Sequence, residues 1–207
     1  MTHFLAFGDS ITYGAGDPNG GWVERLRARI NARKDEHRVY NLGVSGDTST
    51  ALVKRFKSEC SLDRLSDDEP NVIFIAIGTN DSALEKKKPV VPLPTYCKNL
   101  RKIVMQARKI TPYVFVLTPL PVDESRTAPI PWRPAWSYTN SSISKFAAAN
   151  ATEAMRAGAI LIDVARKFTP NKNQELLIDG VHPSKNGYDA MFQEIYQTLQ
   201  QNKLVNL

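Results

Sequence analysis

The sequence predicts an α/β fold in which a five-stranded parallel sheet carries helices on both faces. Short segments that are almost entirely apolar alternate along the chain with longer segments whose apolar residues recur at helical spacing. Such alternation indicates β–α crossovers, which generate a parallel sheet covered on both faces. The chain has 207 residues, the length of one domain, and we expect a single domain over residues 1–207.

Five short apolar segments are the predicted strands. The third, Val72–Ile77, is apolar at every position, which is typical of a central parallel strand that is buried on both faces. The other four are also brief apolar runs, most of them bounded by glycine or proline. These four strands are His3–Phe7, Val39–Leu42, Tyr113–Thr118 and Ile160–Ile162.

Between and after the strands, apolar residues recur every three or four positions and predict amphipathic helices. The clearest helix is the last, and its apolar face consists of Tyr188, Met191, Phe192, Ile195 and Leu199. The other helices are centred on Trp22–Ile30, Leu52–Phe56, Cys97–Ile110 and Ser141–Ala157. Asp47 stands where an N-cap belongs, ahead of the helix that contains Leu52.

The composition excludes several classes of protein. Hydrophobic residues make up 42% and charged residues 23% of the chain, as in an average globular protein. No apolar run approaches the roughly 18 residues of a membrane span, and the first residues lack the basic segment of a signal peptide. We therefore expect a cytoplasmic protein with no integral membrane association. Two cysteines, Cys60 and Cys97, are too few for a disulfide framework or a metal cluster.

The net charge of +6 raises the question of a nucleic-acid partner. The charge is scattered, however, and the one compact basic run, Lys86-Lys87-Lys88, ends at Pro89 without interleaved aromatic residues. Nucleic-acid binding needs several aligned phosphate contacts, so we expect no nucleic-acid partner. The sequence does not indicate an oligomeric state.

A polar, turn-forming segment follows each of the first three strands, and a fourth such segment precedes the last helix. Each alone is an ordinary glycine-rich turn. Ligands of parallel α/β sheets bind outside the carboxyl ends of the strands, so the four segments together predict one polar site. They are Gly8-Asp9-Ser10-Ile11-Thr12, Asn41–Thr48, Gly78-Thr79-Asn80-Asp81 and Asp179-Gly180-Val181-His182-Pro183.

These segments contain the groups that acyl transfer needs. A serine hydroxyl is a weak nucleophile until a base takes its proton, and Ser10 lies in the first segment. Of the three histidines, only His182 lies in such a segment, and Asp179 three residues earlier is placed to orient its imidazole. The amide of Gly46 and the side chain of Asn80 are neutral donors for an oxyanion hole.

The four segments resemble the blocks of the SGNH (GDSL) hydrolase family, which centre on a serine, a glycine, an asparagine and a histidine. All four occur in order over nearly the whole chain, and Ile11 replaces the leucine of the first block. The chain has no GxSxG elbow, phosphate-binding loop or dinucleotide fingerprint to suggest another family.

The resemblance implies a flavodoxin-like three-layer α/β/α sandwich and a serine esterase that needs no cofactor or metal. It implies that Ser10 is the nucleophile, His182 the general base and then acid, and Asp179 the residue that orients His182. The oxyanion donors would be the backbone N–H groups of Ser10 and Gly46 and the side chain of Asn80. The expected partner is a small ester, hydrolysed through an acyl-enzyme.

A long segment over residues 119–138, rich in proline and tryptophan, follows the fourth strand at the same edge of the sheet. Long loops at this position commonly form lids or substrate walls. We hypothesise that Trp132 and Trp136 shape an apolar pocket for an acyl or aryl group. A loop that packs its tryptophans on its own surface, or a subunit contact, is the alternative.

The sequence leaves five other functions open. A thioesterase, a lysophospholipase and a carbohydrate acetylesterase would use the same residues as a short-chain or aryl esterase. A non-catalytic module that binds a ligand in the cleft is a remote alternative. A basic nucleic-acid-binding protein would rest on the net charge alone.

Overall fold

The computed structural model describes residues 2–32, 37–60, 64–66, 70–169 and 173–205, which include the whole predicted sheet. The five predicted strands form one parallel sheet, in the order second, first, third, fourth, fifth along the chain. Helices cover both faces of this sheet, as the sequence predicts.

The strands, numbered in chain order, include the five of the main sheet and three short ones that the sequence pattern misses. They are β1 (His3–Gly8), β2 (Arg38–Gly43), β3 (Asn71–Ala76), β4 (Leu84–Glu85), β5 (Lys88–Pro89), β6 (Tyr113–Leu117), β7 (Trp136–Ser137) and β8 (Ile160–Ile162).

The helices in the described ranges include the five predicted ones and four short helices of four residues each. They are α1 (Ser10–Tyr13), α2 (Gly21–Asn31), α3 (Ser49–Glu59), α4 (Thr79–Ser82), α5 (Leu93–Arg108), α6 (Glu124–Thr127), α7 (Asn140–Arg156), α8 (Asn173–Leu176) and α9 (Lys185–Gln201). A 3₁₀ helix over Val164–Lys167 follows β8.

Alternate residues of each central strand enter two separate cores, because successive side chains of a strand point to opposite faces. On one face, Phe4 and Phe74 are fully buried against α2 and α9. On the other, Leu5 and Ile73 are fully buried against α3, α5 and α7. Burial on both faces explains why these strands are continuous apolar runs in the sequence.

The predicted N-cap of α3 is wrong by one residue. Thr48, not Asp47, occupies the cap, and its side chain accepts a hydrogen bond from the backbone N–H of Ala51. The Asp47 carboxylate instead forms an ion pair with Arg55, about two turns further along the chain in α3, at 2.7 Å. Aspartate and threonine are both favoured at N-cap positions, so the sequence alone does not show which of the two neighbouring residues caps the helix.

A second, three-stranded antiparallel sheet in the order β5-β4-β7 lies beside the main sheet. Its β4–β5 turn is formed by Lys86 and Lys87, which have φ angles of 49° and 62°, so the basic run forms an exposed hairpin turn. The segment over residues 119–138 contains α6 and β7, and the pairing of β7 with β4 joins this segment to the second sheet.

The polar segments lie at the carboxyl edge of the main sheet, as their positions after β1, β2 and β3 require. Gly43 allows the close approach of β2 to α1, because a Cβ atom there would lie 2.2 Å from the backbone nitrogen of Tyr13. None of the helices in the described ranges is long and apolar enough to cross a lipid bilayer.

Candidate active site

The structure brings Ser10, His182 and Asp179 into one hydrogen-bonded chain. Ser10 Oγ lies 2.8 Å from His182 Nε2, and His182 Nδ1 lies 2.6 Å from Asp179 Oδ2. A carboxylate only accepts hydrogen bonds, so Nδ1 carries the proton and Nε2 of the neutral ring accepts from the serine. In this arrangement, Nε2 is the atom that can take the proton of the Ser10 hydroxyl.

Asp179 is held by the turn that leads into α9. Its Oδ1 accepts hydrogen bonds from the backbone N–H groups of Val181, at 2.9 Å, and His182, at 2.8 Å. Burial opposes ionisation of this carboxyl, but its hydrogen bonds with His182 and Val181 outweigh burial and lower the pKa of Asp179. Asp179 therefore remains a carboxylate at neutral pH and fixes the imidazole orientation.

Ser10 is the first residue of α1, immediately after β1. The side chain of Asp9 caps this turn by accepting from the backbone N–H of Ile11 at 3.0 Å. The N–H of Ser10 has no intrahelical acceptor at this position, and it donates to no other group of the described residues. The N–H of Gly46, at φ +83°, is likewise unpartnered within the described residues. Both amides are available to an anion.

The Asn80 amide is oriented by two hydrogen bonds from different parts of the chain. Its Nδ2 donates to the backbone oxygen of Asp47 at 2.9 Å, and its Oδ1 accepts from the hydroxyl of Tyr138 at 2.7 Å. Nδ2 has a second hydrogen, which remains for a ligand. Tyr138 is buried and comes from the segment over residues 119–138. The sequence does not indicate Tyr138 as a site residue, because no short-range motif connects it with Asn80.

Arg55 joins the end of β1 to the segment that contains Gly46. Besides its ion pair with Asp47, it donates to the backbone oxygen of Gly8 at 3.0 Å and pairs with Glu59 at 2.9 Å. The sequence spacing of Asp47 and Arg55 could have predicted their ion pair, because eight residues are about two helical turns and place both side chains on the same side of the helix. These contacts fix the Gly46 amide relative to Ser10.

Two buried carboxyl groups lie beneath the site. Burial raises the pKa of Asp9 to about 7, although the hydrogen bond from Ile11 opposes this rise. Burial also raises the pKa of Asp81 to about 6, opposed by hydrogen bonds from the side chain and backbone of Ser49. Through these hydrogen bonds, Asp81 in α4 holds Ser49 at the start of α3. The segment that contains Gly46 leads into α3, so this contact also positions Gly46 relative to Asn80 in α4.

Ser10, Gly46, Asn80 and His182 line one cavity of about 350 Å³. Trp132 and Trp136 also line this cavity, but they differ in burial. Trp132 is 53% exposed and its ring centroid lies 6.0 Å from that of His182. Trp136 is 7% exposed and packs in an apolar cluster with Ile130 and Tyr138.

A larger cleft of about 640 Å³ lies elsewhere, between the segment that follows β6 and α7. Ser125 and Ser144 line it, but no histidine does, so no base is present to activate either hydroxyl. His3 and His37 bond to Arg64 and Thr2 at the opposite edge of the sheet. The smaller cavity is therefore the candidate active site. Among the residues that the structure describes, no group of three histidines, cysteines or acidic residues is arranged to hold a metal ion.

Comparison with known proteins identifies the family of the chain. Residues 6–190 match the model of the GDSL-like Lipase/Acylhydrolase family. The chain belongs to this family. It is a carboxylic ester hydrolase of the GDSL type.

Two relatives of the chain are similar to it over most of their length. A GDSL esterase/lipase of Arabidopsis thaliana is 29% identical over 209 residues, covering 94% of this chain and 84% of that protein. The mouse (Mus musculus) isoamyl acetate-hydrolyzing esterase 1 homolog is 28% identical over 206 residues, covering 91% of this chain and 77% of that protein.

The fold of the GDSL chain also matches a solved structure over nearly its full length. The crystal structure of the lipase/acylhydrolase from Enterococcus faecalis superposes with a TM-score of 0.77 at 24% identity, covering 98% of this chain and 97% of that one. The three-layer sandwich expected from the sequence is therefore confirmed.

The raised pKa of Asp9 predicts a specific pH dependence of stability. Because the folded pKa, about 7, exceeds the ordinary value of 3.8, the folded state binds a proton more tightly between these values. The free energy of unfolding should therefore fall as pH rises from about 4 to 7. Asp9→Asn keeps the acceptor for the Ile11 N–H and removes the titration. We expect a flatter pH dependence for this variant, measured by urea denaturation at several pH values.

The control is Asp163→Asn, which changes an exposed aspartate outside the cavity. It should leave the pH dependence of the wild type unchanged. An Asp9→Asn variant that loses as much stability as the wild type between pH 4 and 7 would show that Asp9 is already ionised when folded.

Proposed function

We propose that this chain is a serine esterase that hydrolyses small, short-chain carboxylic esters through an acyl-enzyme intermediate. The observation that carries the proposal is the hydrogen-bonded chain from Ser10 through His182 to Asp179. It supplies a nucleophile, a base in contact with it and a carboxylate that orients the base, which are the parts that acyl transfer requires.

In the first half of the reaction, His182 Nε2 takes the proton of Ser10 as Oγ attacks the ester carbonyl carbon. The carbonyl π electrons move to oxygen, and the resulting imidazolium is stabilised by Asp179. The oxyanion lies against the N–H groups of Ser10 and Gly46 and the free Nδ2 hydrogen of Asn80. These donors are already in place, which lowers the barrier because they need no reorganisation during the reaction.

The tetrahedral intermediate then collapses, the bond to the alcohol oxygen breaks, and His182 protonates the departing alcohol. In the second half, His182 takes a proton from water, whose oxygen attacks the acyl-enzyme carbonyl. Collapse of the second intermediate releases the carboxylic acid and returns the proton to Ser10 Oγ. The net reaction consumes one ester and one water.

Two observations support a small substrate. The cavity volume of about 350 Å³ is at the lower end of the 300–1,000 Å³ that is usual for ligand pockets. The mouse relative is named for hydrolysis of isoamyl acetate, an ester with a two-carbon acyl group. We propose that Trp132 forms an exposed aromatic wall of the cavity and Trp136 its buried floor.

Hydrolysis of 4-nitrophenyl acetate, butyrate and octanoate, phenyl acetate and acetyl-coenzyme A by the wild type and Ser10→Ala tests the proposal. Loss of the nucleophile should abolish turnover, by at least about 10³-fold. Among the nitrophenyl esters, acetate and butyrate should have a higher kcat/KM than octanoate. Ser144→Ala, which changes a serine of the larger cleft, is the matched control and should retain wild-type activity.

Turnover that survives in Ser10→Ala would overturn the serine mechanism. A higher kcat/KM for the coenzyme A thioester than for every oxygen ester would instead identify a thioesterase. A preference for octanoate would overturn the assignment of a short acyl group, and Trp132→Ala would then show whether the exposed wall sets the chain-length ranking.

The hydrogen bond from Tyr138 to Asn80 predicts the effect of Tyr138→Phe. Without the hydroxyl, Asn80 Oδ1 loses its donor and the amide is free to rotate away from the oxyanion. Direct removal of an oxyanion donor costs about 10²–10³ in kcat. We expect the indirect change to lower kcat by about tenfold and to change KM by less than about threefold. Steady-state kinetics with 4-nitrophenyl acetate measure both values.

The matched control is Tyr113→Phe, at the amino-terminal end of β6 and outside the cavity. It should retain wild-type kcat. If Tyr138→Phe lowers the melting temperature but leaves kcat unchanged, the hydroxyl contributes to stability alone and does not position Asn80.

A further inference from the structure

Arg133 is a cation in the wall of the candidate active site. It lines the same cavity as Ser10, Asn80 and His182. Apart from His182, it is the one lining residue with a basic side chain in the described part of the chain. Nothing in the ester hydrolysis derived above uses this positive charge, so its position needs a separate explanation.

The guanidinium group is held by the ring of Trp136. Its central carbon lies 3.6 Å from the ring centroid, which is a close cation–π contact. The ring itself is buried, and its Nε1 donates to Glu85 Oε1 at 3.3 Å. Because the guanidinium contacts the ring through its face, the N–H groups at its edge remain available to a ligand.

The backbone around Arg133 is also fixed. Its N–H donates to the oxygen of Ile130 at 3.3 Å, and its oxygen accepts from the N–H of Trp136 at 2.8 Å. Ile130 N–H in turn donates to the oxygen of Trp136 at 3.0 Å, and Ile130 is buried. The turn over residues 130–136 is thus closed by its own hydrogen bonds, and Arg133 is attached to a rigid support.

Arg133 is exposed and has no carboxylate partner among the described residues. Arg108 and Arg126 also lack one, but they bond to backbone oxygens, whereas several other arginines form ion pairs. Arg25 pairs with Asp17 and Asp189, and Arg55 pairs with Asp47. Glu85, which bonds to the supporting tryptophan, does not form an ion pair with Arg133. A positioned guanidinium without a counter-ion, in a cavity with a nucleophile, is suited to bind an anionic group of the substrate.

We infer that the substrate is a small ester that carries a second, anionic group, and that Arg133 binds this group while Ser10 attacks the ester carbonyl. A carboxylate is the simplest such group, because the planar guanidinium edge can donate two parallel hydrogen bonds to it. The inference rests on the proposed function, since it assigns the substrate class of the same site. The charge also acts near the oxyanion donors. Burial raises the pKa of Tyr138, and Arg133 opposes this rise.

The test compares pairs of esters that differ only in a carboxylate or its neutral amide. Monoethyl glutarate and ethyl 4-carbamoylbutanoate carry the group on the acyl side, whereas 4-acetoxybenzoate and 4-acetoxybenzamide carry it on the alcohol side. The wild type should prefer the carboxylate in one of the two pairs, which identifies the side that faces Arg133. Arg133→Gln should lower kcat/KM for that carboxylate by about tenfold and change kcat/KM for its amide by less than about threefold.

Arg156→Gln is the matched control, because Arg156 is an exposed arginine that does not line the cavity. It should retain the wild-type preference, and Arg133→Glu should reverse that preference. Circular dichroism and thermal melts of each variant exclude unfolding as the cause of a lost activity.

Two results would overturn the inference. In the first, the wild type shows no preference for the carboxylate in either pair. In the second, Arg133→Gln lowers kcat/KM for carboxylate and amide equally. Ser10→Ala separates this outcome from failure of the proposed function. If Ser10→Ala abolishes hydrolysis of the neutral esters and the wild type shows no preference for the carboxylate, the serine mechanism stands and only the proposed role of Arg133 is wrong.

Discussion

The hydrogen bond between Ser10 Oγ and His182 Nε2 is the contact on which the site depends. It joins residues that are 172 positions apart in the chain, so it exists only when the whole sheet is correctly assembled. Ser10 follows β1, an inner strand of the sheet, and His182 lies three residues before the start of α9, which packs against α2. Parallel strands satisfy this constraint because their carboxyl ends meet at one edge. The fully buried side chains on both faces hold that edge in place.

The carboxyl groups around the site have different environments and therefore different protonation. Asp179 accepts several hydrogen bonds and keeps its charge beside His182. Asp9 is fully enclosed, and burial raises its pKa to about 7. A protonated Asp9 would place no second negative charge beside the oxyanion that we propose for the reaction at Ser10. This separation of roles between two neighbouring acids follows from burial and hydrogen bonding, the usual causes of shifted pKa values.

The five strands and the long helices could be predicted from the sequence, because continuous apolar strands and helical spacing leave a direct pattern. The positions of Ser10, Gly46, Asn80, Asp179 and His182 at one edge were also predictable, since each lies next to the end of a strand or the start of the last helix. Their catalytic roles stay proposals. Cytoplasmic residence likewise stays a prediction, and a matched Bacillus subtilis relative is named as a lipoprotein.

The contacts that support the site could not be predicted. Tyr138 reaches Asn80 from 58 positions away, and the pairing of β7 with β4 that carries it there involves only two residues in each strand. Strands this short leave no periodic pattern. The sequence predicts Asp47 as the N-cap of α3, because aspartate is a favoured capping residue, but the Asp47 carboxylate pairs with Arg55 and Thr48 occupies the cap. The stacking of Arg133 on Trp136 depends on the same irregular segment.

Covalent labelling with an alkyl fluorophosphonate is the most direct test of the central claim, that His182 and Asp179 activate Ser10. The serine oxygen attacks phosphorus and displaces fluoride, so the adduct marks the nucleophile, and peptide mass spectrometry locates it. We expect one adduct, on Ser10, forming more slowly at acid pH and at least about tenfold more slowly in Asp179→Asn. An adduct on another residue, or labelling of Asp179→Asn at the wild-type rate, would contradict the account.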